Sequence, residues 1–169
     1  NTLEEKCKKI KGLKLLILNY PNNPTGLSYT IEELKSIAKI CKKNHTLVLS
    51  DEIYSRLHHR DGHSSVSKYY PEGTIITSGL SKWCGAGGWR LGFLAVPKKL
   101  TEFLKSLKSL ASESYSTVNT PTQFAAVEAY NSNYEDYRLK VRAILNSVGT
   151  YVYNNLKSNK VLINPPQAV

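Results

Sequence analysis

A lysine followed eight residues later by an arginine, across a glycine-rich turn, is the feature that most constrains this chain. Lys82 lies among small residues after the apolar run 74–77, and three glycines within 85–88 separate it from Arg90. We expect Lys82 at a strand end in a partly dehydrated pocket, where a lysine can lose its proton and attack a carbonyl. A guanidinium suits a phosphate, and glycines let the backbone approach a ligand closely. The stretch therefore indicates a phosphorylated cofactor that carries an aldehyde.

Two plainer interpretations of this stretch compete with that hypothesis. Lys82 taken alone is typical of a solvated loop, because lysine side chains are mostly exposed. The glycines could also indicate a dinucleotide-binding loop. That loop needs a third glycine near the position of Arg90, and it leads into a helix, whereas the residues after Arg90 predict a strand. The dinucleotide interpretation is therefore excluded.

The first part of the chain predicts a strand, a helix and a second strand. Residues 13–20 form a nearly continuous apolar run, which favours a strand buried on both faces. Thr30 and Glu33 have the spacing of a capping box and predict a helix over residues 31–43. Residues 46–50 predict a second buried strand. The two strands should be parallel, with a right-handed crossover between them.

The rest of the chain predicts more of an α/β fold. Residues 56–71 read as a polar loop with a short helix, and residues 74–78 as a third strand. Residues 91–96 read as a fourth strand, which we expect to be antiparallel because it follows the glycine turn directly. Apolar periodicity and the Thr120–Pro121 start signal predict the remaining elements, which are helices over 100–111, 120–130 and 134–157 and a strand over 161–163.

Charge and cysteine content limit the possible functions. The net charge of +10, from 23 Lys and Arg against 13 Asp and Glu, raises nucleic-acid binding as an alternative. A solvated basic face is favoured, because no stripe of basic residues interleaved with aromatic residues is present. Three cysteines without CxxC spacing favour reduced thiols and a cytoplasmic location. The four histidines do not combine with them at zinc-ligand spacing, and no apolar run reaches the roughly 18 residues of a membrane span.

Residues 79–92 resemble the pyridoxal-phosphate attachment segment of class I and II aminotransferases, the fold-type I family. The agreement covers the small residues before the lysine, the lysine itself, the glycine turn and the closing Arg-Leu-Gly. The resemblance implies that Lys82 binds pyridoxal 5'-phosphate covalently and then carries a proton during catalysis. It implies that Arg90 binds the cofactor phosphate. Many members have a serine where Gly79 stands here, so the phosphate contact would pass to Ser81 or Ser78.

Three more residues match the family pattern. Asn23 and Tyr54 resemble the two donors to the phenolic oxygen of the cofactor, and Asp51 resembles the carboxylate paired with the pyridine nitrogen. Each has a plain alternative when taken singly: a loop asparagine, a core tyrosine and a helix-capping aspartate. The spacing of Asn23, Asp51, Lys82 and Arg90 predicts that these four lie at strand ends on one edge of the sheet, where ligands bind in open α/β folds.

The resemblance also implies an architecture and an activity. The fold expected is a three-layer α/β structure, with a mostly parallel sheet flanked by helices, as in the central part of the large cofactor domain. Residues 1–132 would belong to that domain, and residues 133–169 would form the interdomain helix and the start of the small domain. Complete family members are much longer, so we expect an incomplete chain that lacks the N-terminal phosphate loop and the C-terminal arginine for the substrate carboxylate.

The activity implied is exchange of an amino group between an amino acid and a 2-oxo acid by a cytoplasmic homodimer. Two alternatives stay open. Relatives with the same residues perform elimination or ring-forming chemistry on amino acids, and a binding module with a vestigial site is the non-enzymatic possibility. No metal, nucleic acid or membrane partner is expected.

Overall fold

Four strands form one sheet in the computed structural model, which describes residues 2–12, 14–59, 62–157 and 164–168. The strands are β1 (Lys14–Asn19), β2 (Thr46–Asp51), β3 (Thr74–Gly79) and β4 (Gly92–Ala95), in that spatial order. β1, β2 and β3 are parallel, and β4 is antiparallel to β3. The predicted parallel pairing of the first two strands and the predicted antiparallel direction of the fourth are confirmed. The strand predicted at 161–163 lies outside the described residues.

Five helices accompany the sheet within the described residues. They are α1 (Thr2–Lys9), α2 (Ile31–Lys43), α3 (Thr101–Ser114), α4 (Thr120–Asn131) and α5 (Glu135–Lys157). The predicted helices are confirmed, with ends that differ by a few residues. The loop after β2 contains three short 3-10 turns, at Ser55–Leu57, Val66–Lys68 and Pro71–Gly73, instead of one short helix.

Helix α2 packs on one face of the sheet and forms the main core. Its buried side chains Leu34 and Cys41 belong to one cluster with Leu18 of β1 and Val48 of β2. Burying one such apolar side chain stabilises the fold by about 1.5 to 3 kcal/mol. Thr30 begins the helix with the predicted capping box, in which its hydroxyl accepts from the Glu33 amide and the Glu33 carboxylate accepts from the Thr30 amide. The β-α-β unit is therefore fixed by packing and by its cap.

The opposite face of the sheet is partly open, which corrects one prediction. Leu15 and Ile17 were expected in a strand buried on both faces, yet they are 54% and 64% exposed. Side chains alternate between the two faces of a strand, and α2 covers only the face that carries Leu18. On the open face an apolar cleft of about 420 Å³ lies between the sheet and α3, lined by Leu15, Leu47, Leu49, Ile75, Leu94, Leu100, Phe103 and Leu107.

The helices of the described part of the chain do not have the character of membrane-spanning segments. None of them combines the length and the apolar character that crossing a membrane would demand.

Replacing Thr30 by Ala should lower the free energy of unfolding by about 1 kcal/mol, because the amide of Glu33 loses its acceptor. Urea unfolding followed by circular dichroism measures the change. Ser36→Ala is the matched control, since Ser36 is an exposed hydroxyl inside the same helix, and it should change stability by less than about 0.5 kcal/mol. Equal losses in the two variants would contradict the role of the cap.

Candidate active site

The register of the parallel strands brings three polar residues together at one edge of the sheet. Asn19 ends β1 opposite Asp51 of β2, and Asp51 lies opposite Thr77 of β3. The Asn19 amide donates to Asp51 Oδ2 at 2.9 Å, and the Thr77 hydroxyl donates to Oδ1 at 3.3 Å. The backbone N–H of Ile53 donates to the same Oδ1 at 3.3 Å. The Asp51 carboxylate is thus held in one orientation by its neighbours.

Three of the predicted site residues contact one another beside this edge. The Asn23 amide donates to the Tyr54 hydroxyl at 3.1 Å. The Nζ atom of Lys82 lies 5.5 Å from the centre of the Tyr54 ring. Tyr54 is buried and belongs to a core cluster with Trp83. An amide, a phenol and a primary amine therefore converge from three separate loops of the chain.

The surroundings of Lys82 correct a second prediction. Lys82 follows β3 as expected, but its side chain is exposed and not in a dehydrated pocket. Its neighbours Leu80 and Trp83 are each 2% exposed, so the turn buries these two apolar side chains and directs the lysine outward. The ammonium makes no ion pair with another described residue. Within the described part of the chain, the aromatic ring that lies beside the Lys82 ammonium is that of Tyr54.

A backbone hydrogen bond joins the two ends of the glycine turn, and Arg90 lies near its second end. The amide of Leu80 donates to the carbonyl of Leu91 at 3.3 Å. Arg90 adopts the left-handed conformation, with φ of 54°, and its Nη1 donates to the Gly87 carbonyl at 2.8 Å. Arg90 and Ser81 lie on the same turn as Lys82. Neither is joined by a described hydrogen bond to the contacting group of Asn23, Tyr54 and Lys82.

A close approach of two backbones explains why position 79 carries glycine. Gly79 pairs with Gly92 across β3 and β4. A Cβ atom at Gly79 would lie 2.6 Å from the Leu91 carbonyl oxygen and 3.0 Å from the Gly92 Cα. A serine there would require the two strands to separate. A phosphate contact from a side chain at this position is therefore incompatible with the observed pairing.

A buried acidic network lies directly behind Asp51, and the sequence analysis missed it. The Glu52 carboxylate accepts from the Ser50 hydroxyl at 2.8 Å and the Ser65 hydroxyl at 2.6 Å, and its Oε2 lies 2.8 Å from His63 Nε2. Burial raises the pKa of Glu52, but hydrogen bonds from His63, Ser65 and Ser50 outweigh it, so its pKa is lower than usual. The adjacent acids Asp51 and Glu52 were the available signal, since successive residues at a strand end point to opposite sides.

Together these residues define an α/β protein with an amine-bearing site at the carboxyl edge of a mostly parallel sheet. The edge offers a primary amine, two hydrogen-bond donors that contact each other and an oriented carboxylate, and the turn that carries the amine ends in a guanidinium. By its chemistry, such a set could hold a small aromatic aldehyde, with the amine for the aldehyde and the donors and carboxylate for the polar atoms of its ring.

Comparison with known proteins identifies the family. Residues 1–168 match the family model described as aminotransferase class I and II, and the chain belongs to this family. Among curated relatives, the probable N-acetyl-LL-diaminopimelate aminotransferase of Bacillus subtilis is 39% identical over 145 residues, which are 86% of this chain and 36% of the relative. The aspartate aminotransferase of Geobacillus stearothermophilus is 40% identical over 126 residues, which are 72% of this chain and 31% of the relative.

Solved structures agree with the family assignment. A double mutant of Thermus thermophilus aspartate aminotransferase superposes with a TM-score of 0.89 at 26% identity, over 98% of this chain and 44% of that one. Alanine aminotransferase of Pyrococcus furiosus superposes with a TM-score of 0.85 at 32% identity, over 98% of this chain and 43% of that one. The predicted family and fold class are confirmed. The chain spans about a third of the length of the curated relatives it matches and less than half of the solved chains.

Gly79→Ala should destabilise the protein by about 1 to 3 kcal/mol, because the new methyl group collides with the backbone at Leu91. Gly88→Ala is the matched control in the same turn, since a Cβ at Gly88 meets no atom within 4 Å. Urea unfolding of the two variants measures the difference. A Gly79→Ala variant as stable as Gly88→Ala would show that the two strands do not approach this closely.

Glu52 should support stability at neutral pH and lose this effect in acid. Because its pKa in the folded state lies below the ordinary 4.5, its contribution is complete above that value and disappears as the pH falls through the folded pKa. The free energy of unfolding, measured in urea from about pH 7 to pH 3, should fall less steeply in Glu52→Gln than in the wild type. Glu102→Gln, at an exposed pair with Lys105, should leave the slope unchanged, and an unchanged slope in Glu52→Gln would contradict the assignment.

Proposed function

We propose that this chain carries the cofactor site of an aminotransferase that uses pyridoxal 5'-phosphate to exchange an amino group between an amino acid and a 2-oxo acid. The observation that carries the proposal is the convergence of Asn23, Tyr54 and Lys82 beside the oriented carboxylate of Asp51. Membership in the aminotransferase family supports the same reaction class.

The residues present fit pyridoxal phosphate by the chemistry of their donors. Lys82 offers the amine for the aldehyde, and Asp51 offers a carboxylate for the pyridine nitrogen. Asn23 and Tyr54 offer two donors for the phenolic oxygen, and their side chains already contact each other. Arg90, together with Ser81 on the same turn, would hold the phosphate. When bound, the cofactor supplies an aldehyde that links to amines and a ring that accepts electrons.

Each of these site residues then has a defined task in catalysis. Asp51, held by Asn19 and Thr77, would stabilise a proton on the pyridine nitrogen of the cofactor, because an adjacent carboxylate favours the positive charge. Asn23 and Tyr54 would stabilise negative charge on the phenolic oxygen of the cofactor by hydrogen bonding. With the cofactor bound, the amine of Lys82 would take the proton from the substrate alpha carbon as a general base and deliver it to the aldehyde carbon of the cofactor as a general acid. Arg90 would hold the phosphate of the cofactor, since a guanidinium suits phosphate oxygens.

We propose that residues 1–132 belong to the large cofactor domain and that 133–169 contain the interdomain helix and the start of the small domain. The helix α5 supports this boundary, since it runs for 23 residues and has no buried side chain among them. A homodimer in the cytoplasm, acting in amino-acid metabolism, follows from the family resemblance. The free thiols of Cys7, Cys41 and Cys84 agree with a reducing compartment.

Reductive labelling tests the proposal directly. The full-length protein is incubated with pyridoxal phosphate, reduced with borohydride and digested, and mass spectrometry should find the cofactor on the peptide that contains Lys82. Lys82→Arg should lose the label and about 10³-fold or more of the activity, because it loses the group that carries the proton. Lys98→Arg, an exposed lysine after β4, should keep both. A label on other lysines alone would disprove the assignment.

Product analysis separates the alternative activities. With an amino acid and 2-oxoglutarate, the wild-type protein should form glutamate and a 2-oxo acid in equal amounts. A 2-oxo acid without glutamate would identify a lyase that uses the same cofactor residues. Failure to retain the cofactor at all would favour a vestigial site.

A further inference from the structure

Close to Tyr54 in the sequence, an arginine side chain stacks on two aromatic rings. The guanidinium carbon of Arg56 lies 4.5 Å from the centre of the Trp83 ring and 5.2 Å from the centre of the Tyr130 ring. The centres of the two rings lie 5.7 Å apart, and their planes are inclined at 57°. We call Arg56, Trp83 and Tyr130 the arginine stack. Its members come from three separate parts of the chain, which are the loop after β2, the glycine turn and α4.

The arginine stack joins the same two loops that carry Tyr54 and Lys82. Arg56 lies in the short 3-10 turn Ser55–Leu57, which begins directly after Tyr54. Trp83 directly follows Lys82. The Lys82 amine already lies 5.5 Å from the centre of the Tyr54 ring. The stack therefore forms a second contact between these loops, one or two residues along the chain from the first.

The aromatic members of the stack are anchored in the core. Trp83 is only 2% exposed and belongs to one buried cluster with Tyr54 and Leu80. Tyr130 packs against that cluster, and its ring meets that of Phe93 on β4 edge-on, with the centres 5.7 Å apart. A cation interacts more strongly with an aromatic ring when the contact is removed from water. The contact of the guanidinium with these rings is therefore stronger than one at the surface would be.

Hydrogen bonds do not hold the two rings that Arg56 contacts. Nε1 of Trp83 and the hydroxyl of Tyr130 are buried, and neither has a hydrogen-bond partner among the described residues. A buried indole N–H or phenol usually has such a partner. Packing and the guanidinium that lies against both rings are what remain. The orientation of the Trp83 ring, and with it the backbone next to Lys82, therefore depends on Arg56.

We infer that Arg56 is a positioning residue for the proposed cofactor site. By stacking on Trp83, it holds the glycine turn against the loop after β2 and so sets the distance between the Lys82 amine and the Tyr54 hydroxyl. The inference rests on the proposed function, in which both groups contact one cofactor. Because the Lys82 side chain is exposed, its position depends mainly on the backbone of the turn. Arg56 is not a ligand of the cofactor in this scheme, and its effect passes through the indole ring.

Hydrogen exchange of the full-length, cofactor-free protein tests the positioning independently of the proposed function. In Arg56→Gln, the backbone amides from Leu80 to Leu91 should exchange about tenfold faster than in the wild type, because a buried cation–π contact is lost. The amides of α2 should exchange as before, since α2 packs in a different cluster. Unchanged exchange between Leu80 and Leu91 would overturn the inference.

Titration with pyridoxal phosphate tests the effect on the site, after reductive labelling has located the cofactor on Lys82 of the wild type. Arg56→Gln should raise the apparent Kd about tenfold. It should also reduce the visible circular dichroism per bound cofactor, since this signal requires a fixed orientation of the ring. Arg56→Lys keeps a cation but not the planar group, so it should raise the Kd only about threefold. Lys68→Gln, at an exposed position in the same loop, is the matched control for loss of charge and should change the Kd less than about twofold.

Failure of the inference and failure of the proposed function give different results. Unchanged Kd and circular dichroism in Arg56→Gln, with cofactor on Lys82, would overturn the role of Arg56 and leave the proposed function standing. An equal rise of the Kd in Lys68→Gln would assign the effect to charge alone and overturn the inference as well. Absence of cofactor on Lys82 in the wild type would reject the proposed function, and with it a positioning role toward the cofactor. If Arg56→Gln does not fold, Arg56→Lys replaces it in both measurements, and wild-type values in that variant would overturn the inference.

Discussion

The parallel register of the first three strands is the constraint on which the site depends. It sets Asn19, Asp51 and Thr77 side by side, so a hydrogen-bonded carboxylate stands at the edge where the loops emerge. A shift of one residue would turn Asp51 to the opposite face of the sheet. The register is in turn maintained by the apolar side chains that α2 buries against β1 and β2. Core packing and ligand chemistry are therefore linked through the backbone pairing of a few residues.

Adjacent acids at the end of β2 have opposite surroundings. Asp51 is half-buried and faces the candidate active site, whereas Glu52 is buried among hydroxyls and an imidazole. A buried carboxylate without partners would favour its protonated form, but three hydrogen bonds keep its charge. Glu52 also ties the loop that carries His63 to the strand end.

Local patterns in the sequence were sufficient for the architecture, because each of them reflects a short-range cause. The capping box at Thr30 predicted α2, and the glycine turn predicted that β4 reverses direction. The grouping of Asn23, Tyr54 and Lys82 was anticipated through the family resemblance. Contacts that depend on distant packing could not be predicted: the stacking of Arg56 on Trp83, the partners of Glu52, and the exposure of Leu15 and Lys82. Apolar character alone does not reveal which face of a strand another element covers.

The close pairing of Gly79 with Gly92 limits how the length of this region can change during evolution. The residues from Leu80 to Leu91 form a loop that connects the paired strands β3 and β4, and a backbone hydrogen bond joins its two ends. An insertion or deletion inside this loop would change the spacing between the Lys82 amine and the Arg90 guanidinium. An insertion or deletion in the polar segment before β3 would leave that spacing unchanged. Differences in length among natural homologues should therefore occur outside the loop from Leu80 to Leu91.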